Sequence, residues 1–189
     1  MAQSEDALVR DARNGDRAAF EELVRRTSQL LFARLYLETG DPYRAEDLMQ
    51  ETLLLAFRSI RNLQNTNGFR PWLLKIAQNV AIDAARRDRR MKRAAPLSHS
   101  ANLDAATDNA RSAGDQAAQE ELRQRVLGVL RSLPEDYRLP LTLRYITGAD
   151  YETICMQLGL TNGSLRGLLH RGLKMLREKL PQDFLSDAS

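Results

Sequence analysis

The sequence predicts an all-α protein of two small helical domains joined by a flexible linker, and three observations predict it. Apolar residues recur at three- and four-residue spacing over several long segments, and no stretch alternates apolar and polar residues for long. The helix formers Ala, Leu, Arg, Glu and Gln dominate. The helical pattern collapses once, between Ala94 and Gln119, where AAPLSHSANLDAATDNARSAGDQAAQ holds almost no large apolar residue and reads as extended or disordered. The chain thus divides into residues 1–93, a linker 94–119, and residues 120–189.

In the first half, a helix is predicted from Ser4 or Glu5 to about Asn14, with Ala7, Leu8 and Ala12 as its apolar side. Asn14-Gly15 ends it and Asp16 is placed to cap the next. From Ala18 to about Leu37 the residues Phe20, Leu23, Val24, Leu30, Leu31 and Leu35 keep helical spacing until Thr39-Gly40-Asp41-Pro42 breaks the pattern. A third helix starts near Tyr43, with Met49, Leu53, Phe57 and Ile60 as its expected buried stripe. Asp47, Gln50, Glu51, Leu54, Arg58 and Arg61 lie on the other side.

After the polar turn Gln64 to Gly68 comes FRPWLLKIAQNVAIDAARRDRRMKR, from Phe69 to Arg93. At 100° per residue it gathers Trp72, Leu73, Ile76, Ala77, Val80 and Ala84 on one arc, and Lys75, Gln78, Asn79, Arg86 and Arg89 on the opposite one. Pro71 suits its first turn. Six of the eight residues from Arg86 to Arg93 are Lys or Arg. A helix with one core-facing side and a wet face of amides and cations carries the chemistry that nucleic acid demands. Trp72 and its arc are read as core, because helical spacing alone accounts for them.

In the second half, Glu120 to Leu133 regains periodicity through Leu122, Val126, Val129, Leu130 and Leu133. Tyr137, Leu141, Leu143 and Tyr145 follow, interrupted by Pro140. A short helix from about Asp150 to Leu158 stops at Gly159, and Thr161 caps the next, the spacing of a helix-turn-helix whose core is Ile154, Leu158, Leu160, Leu165 and Leu168. Ser164, Arg166, Gly167, His170, Arg171 and Lys174 share the outward arc of its second helix, as a major-groove reader requires. Gly167 and Gly172 inside that helix each cost roughly 1 kcal/mol relative to Ala.

Composition excludes several classes. Hydrophobic content of 43% supports packed cores. No apolar run approaches the ~20 residues that span a bilayer, and the N-terminus lacks an apolar signal region, so a cytoplasmic protein without membrane contact of its own is expected. One cysteine, Cys155, and two histidines, His99 and His170, provide neither a disulfide framework nor a metal site. No phosphate loop or catalytic constellation accompanies them, so neither cofactor nor enzymatic activity is expected. The net charge of +3 is small, yet the basic residues concentrate after Arg86 and along LRGLLHRGLKMLREKL.

Three motifs, AEDLMQETLLLAFRSI, FRPWLLKIAQNVAIDAARRDRR and the stretch from Leu130 to Leu180, in that order, resemble an extracytoplasmic-function (ECF, group 4) sigma factor of bacterial RNA polymerase, of the sigma-70 family. The resemblance runs from about Asp6 to Leu180. It implies that residues 1–93 form a sigma region 2 domain for core-polymerase binding, −10 recognition and melting. Residues 120–189 would form a region 4 domain for −35 recognition.

Further implications concern residues. Asp47, Leu48, Gln50, Glu51 and Leu54 match the surface for the clamp coiled coil of the largest polymerase subunit, and the flap of the second subunit is a further partner. Asn62, Asn65, Asn67 and Phe69 fall where the family captures a flipped base, beside Lys75, Asn79, Asp83, Arg86 and Arg87. At the −35 element the matching residues are Thr161, Asn162, Ser164, Arg166, His170, Arg171 and Lys174. This chain has Gly167-Leu168 where the family usually carries Ser-Arg, and Leu173 where another Arg is common. An anti-sigma factor is the implied inhibitor. Two other classes are a stand-alone helix-turn-helix regulator with an N-terminal sensory or dimerisation domain, and a helical enzyme, for which no motif supplies a polar pocket.

Overall fold

The computed structural model describes residues 3–63, 68–94 and 110–180. They form eight α-helices and one short 3-10 turn, with no strand among the described residues. The helices are α1 (Glu5–Arg13), α2 (Arg17–Thr39), α3 (Pro42–Ser59), α4 (Phe69–Ala94), α5 (Ala110–Ser132), α6 (Glu135–Tyr145), α7 (Tyr151–Leu158) and α8 (Asn162–Lys179).

Caps set the boundaries. The Ser4 hydroxyl accepts from the Ala7 amide, Asp16 from Ala18 and Ala19, and Asp41 from Tyr43 and Arg44, with Pro42 in the first turn of α3. Each satisfies donors that a helix start leaves open. Gly40 ends α2 at φ +75°, a left-handed conformation that costs a glycine nothing.

In the first half α2 packs against α1, α3 and α4, through Leu23, Leu30, Leu31 and Leu35. The buried side of α3 is Ala45, Leu48, Thr52 and Ala56, which replaces the expected stripe of Met49, Leu53, Phe57 and Ile60, of which only Ile60 is fully buried. Small residues let α2 and α3 approach closely, and the Thr52 hydroxyl donates to Leu48 O at 2.7 Å, so its burial leaves no polar atom unpaired. Phe57, expected in the core, is 49% exposed, its ring set edge-on to that of Phe20 with the centroids 5.1 Å apart.

The expected linker is narrower. Residues 95–109 lie outside the described residues, but α5 begins at Ala110, ten residues before the expected Glu120. Ala-rich sequence favours helix on propensity alone, without an apolar periodicity to announce it. From Glu120 onward Leu127 and Leu130 are the fully buried apolar residues of α5, Leu133 is buried just beyond its end, and Leu122, expected inside, is exposed. Pro140 sits inside α6 and is buried there, so it does not break the helix as expected. In the helix-turn-helix Ile154, Leu165 and Leu169 fill the core, with Leu168 only partly buried.

Gly172 lies at the crossing of α8 and α6, where an added Cβ would come within 2.9 Å of Leu141 Cδ1 and 3.3 Å of Tyr137 Cδ1. The glycine that weakens α8 as a helix thus permits its closest packing.

The two halves pack together. Arg131 Nε donates to Leu37 O at 2.6 Å, and Arg123 Nη1 and Gln124 Nε2 both donate to Gly40 O, at 2.7 and 3.1 Å. These α5 side chains satisfy carbonyls that the end of α2 leaves open. Further along the seam Gln157 Nε2 donates to Arg26 O at 3.0 Å, and Arg70 donates to Met156 O while pairing with Glu5 at 2.6 Å. A cavity of about 640 Å³ remains between them, lined in part by Arg34, Leu37, Arg131, Leu139 and Leu168.

Candidate nucleic-acid and polymerase interfaces

Three exposed faces carry the residues singled out in the sequence. The first is the outward side of α3. With Ala45, Leu48, Thr52 and Ala56 turned inward, Asp47, Gln50, Glu51 and Leu54 are left on the surface or half-buried at its edge. Leu54 is 50% exposed among acids and amides, with Leu55 and Phe57 also uncovered beside it. Such an apolar centre ringed by charge suits a helix-on-helix contact. Leu48 is corrected: it is 3% exposed and belongs to the core, so it supports this face from beneath and offers nothing to a partner. Phe57 is a surface residue because the small side chains at the Ala45, Leu48, Thr52 and Ala56 spacing set the buried arc and turn it outward.

The second face belongs to α4. Phe69, Leu73, Ala77, Val80 and Ala84 are buried, which fixes the rotation of the helix. Lys75, Asn79, Asp83 and Arg86 are all exposed and share one side. Lys75 Nζ reaches Gln78 Oε1 at 3.5 Å, and Arg86 lies 3.5 Å from Asp83. Arg87 stands apart from this row: it turns toward α3, where Nη2 contacts both Glu51 oxygens at 3.3 and 3.1 Å. Arg44 makes a second link between these helices, to Asp88 at 3.1 Å.

Phe69 is corrected as well. It is 1% exposed and its ring lies 5.9 Å from that of Trp72, so it anchors the start of α4 and does not face a nucleic acid. At 100° per residue position 69 falls on the same side of α4 as Leu73 and Val80, which is why it is buried. Asn62 is exposed in the 3-10 turn, whereas Asn65 and Asn67 lie outside the described residues.

The third face is α8. Thr161, Asn162, Ser164, Arg166, His170, Arg171 and Lys174 are all exposed, while Leu165, Leu169 and Gly172 turn inward. The Thr161 hydroxyl accepts the Ser164 amide at 3.2 Å and donates to Ser164 Oγ at 2.9 Å, so both side chains are engaged in starting the helix. Gly167 leaves open the space into which the Arg171 guanidinium folds, 3.3 Å from where a Cβ would stand. The preceding helix is held by Asp150, whose carboxylate accepts the Thr153 amide at 2.7 Å, and that hydrogen bond keeps its pKa below the usual range. A rigid α7–α8 pair with a cationic outer side can enter a groove.

Among the described residues no cluster of His, Cys, Asp or Glu could hold a metal ion, and no helix is long and apolar enough to cross a membrane.

The faces coincide with family boundaries. Residues 23–91 match the model of sigma-70 region 2, and residues 123–176 that of sigma-70 region 4. The ECF RNA polymerase sigma factor SigE of Mycolicibacterium smegmatis is 33% identical over 169 residues, covering 88% of this chain, which spans 64% of that relative's length. RNA polymerase sigma factor CarQ of Myxococcus xanthus is 33% identical over 168 residues, covering 89% of this chain and 92% of the relative. Among solved structures, CnrH in complex with the cytosolic domain of CnrY aligns with a TM-score of 0.48 at 20% identity, covering 99% of this chain and 100% of that one. Two family models matched in order, and a relative one-third identical that is covered almost from end to end, place the chain in the ECF family of RNA polymerase sigma factors.

Proposed function

We propose that this chain binds core RNA polymerase and directs it to promoters, recognising −35 and −10 elements and melting the −10 region. The observation that carries the reading is the α4 helix. Its inner side is locked into the core, while Lys75, Asn79, Asp83 and Arg86 stand exposed in one row beside the outward face of α3. Family membership supplies the context for it.

Each face then has a role. Asp47, Gln50, Glu51 and Leu54 dock on the clamp coiled coil of the largest subunit, where charge steers approach and Leu54 provides the apolar centre. The α4 row grips one strand of opening DNA, and the loop between α3 and α4 receives an extruded base, whose unstacking costs a few kcal/mol. Arg166, His170, Arg171 and Lys174 of α8 hold the −35 duplex, with residues 95–109 as the connection between α4 and α5. The second subunit's flap contacts the C-terminal half. An anti-sigma factor that covers these faces is the natural inhibitor, and no step of the role requires catalysis.

The test is in vitro transcription with purified core polymerase and genomic promoter fragments. Promoter-specific initiation supports the reading. A chain that neither co-purifies with core enzyme nor directs initiation refutes it, and a tight footprint on a palindromic duplex without polymerase would instead indicate a stand-alone regulator.

A further inference from the structure

The α3 face and the α4 row are joined by the Glu51–Arg87 pair. Its side chains are 41% and 56% exposed, so it adds little to stability and is free to rearrange. Arg86, by contrast, pairs with Asp83 one turn back on its own helix. Glu51 is the carboxylate that both lies on the proposed polymerase face and holds a cation of the DNA-binding helix.

Resting on the function proposed above, we propose that Glu51 is a positioning residue that couples polymerase binding to DNA binding. In the free chain its carboxylate holds the Arg87 guanidinium against α3. When a basic group of the polymerase takes that carboxylate, Arg87 turns to the phosphates of the opened strand. The exchange is balanced in charge: one ion pair is replaced by two, across two interfaces. It lowers the affinity of the free chain for single strands and restores it in the complex.

The folded state does not depend on the pair. Leu48, Thr52 and Ala56 are buried in the helix packing, and Arg44 binds Asp88 independently at 3.1 Å, so Glu51→Gln leaves α3 and α4 in register.

The experiment measures binding of a short single-stranded oligonucleotide by the full chain across a salt series, using wild type, Glu51→Gln, Arg87→Ala and the double variant. Glu51→Gln should tighten binding about two- to fivefold, the range of an exposed pair. It should also steepen the salt slope by about 0.7, the increment of one phosphate contact on a single strand. In the Arg87→Ala background it should do neither.

An unchanged affinity overturns the proposal. So does an equal gain without Arg87, which would reflect only the loss of a negative charge. Lys75→Ala and Arg86→Ala separate this from the broader reading: if they weaken binding while the Glu51 series is flat, only the coupling fails. If they too have no effect, the DNA-facing assignment of α4 fails and the coupling with it.

Discussion

Arg131 on α5 donates its Nε to the carbonyl oxygen of Leu37 at 2.6 Å, so a side chain from the second half closes the end of a helix in the first. Arg123 and Gln124 do the same at Gly40 O, and Arg123 also reaches Tyr36 Oη at 3.1 Å. Partly buried hydrogen bonds from charged donors contribute about 1.5–3 kcal/mol each. Arg131→Ala should therefore lower unfolding stability by about that amount in urea. It should also raise the solution radius of gyration above the ~16 Å expected of a compact chain of this size. Scattering and denaturation curves identical to wild type would show that the seam is not held there.

Leu48 and Leu54 make opposite predictions from one helix. Leu48 is 3% exposed, and Leu48→Ala should cost about 2–5 kcal/mol as a large-to-small core change. Leu54 is half exposed, and Leu54→Asp should leave stability within about 0.5 kcal/mol while abolishing capture of core polymerase in a pull-down. Undiminished capture would remove this face from the interface.

That contrast also marks how far the sequence could be read. The helices of the first half, the cap at Asp16, and the exposed Lys75, Asn79 and Arg86 are legible from spacing and cap chemistry, whereas the cap at Asp41 is not and Asp83 enters only through the family resemblance. The buried arc of α3 was not, because Ala45, Thr52 and Ala56 carry too little hydrophobicity to mark a core, although their size is what admits a neighbouring helix. The start of α5 was hidden for the converse reason: propensity without amphipathicity leaves no periodic trace. Packing between the halves was illegible altogether, since its hydrogen bonds run from arginines and glutamines to backbone carbonyls, an interaction with no sequence signature.

Gly172 and Gly128 distinguish two uses of glycine in a helix. A Cβ at Gly128 meets nothing within 4 Å, so Gly128→Ala should raise stability by up to about 1 kcal/mol through propensity. At Gly172 the same change would press on Leu141 at 2.9 Å, and Gly172→Ala should lower stability by about 1–3 kcal/mol despite the better propensity. A stabilised Gly172→Ala protein would contradict the close crossing of α6 and α8.

Acid should loosen the seam before it unfolds the cores. Glu120 accepts from Arg123 at 2.5 and 2.7 Å and from Gln124 at 2.9 Å, and these bonds, Arg123's foremost, lower its pKa from 4.5 to about 2. A carboxylate depressed in the folded state contributes stability that is complete above its unfolded value and disappears as pH falls through the folded one. The difference in Tm between wild type and Glu120→Gln should thus be constant above pH ~5 and shrink between about 4.5 and 2. A difference that persists unchanged through that window would mean that Glu120 gains nothing from orienting Arg123.

The row on α4 predicts a salt signature. Each cation that neutralises a phosphate releases counterions, so log K falls with log salt by about 0.7–0.9 per contact. Lys75 is exposed and reaches Gln78 at 3.5 Å, and Arg86 is exposed beside Asp83 at 3.5 Å, so both side chains can extend to a backbone without breaking the core. Lys75→Ala and Arg86→Ala should each slow open-complex formation and flatten its salt dependence by about one contact. Asp83→Asn should do the opposite, because it frees Arg86 from its neighbour. Removing a cation that merely solvates the helix would shift neither rate nor slope, so opposite slope changes in Arg86→Ala and Asp83→Asn, measured over the same salt range, identify the row as the strand-binding side.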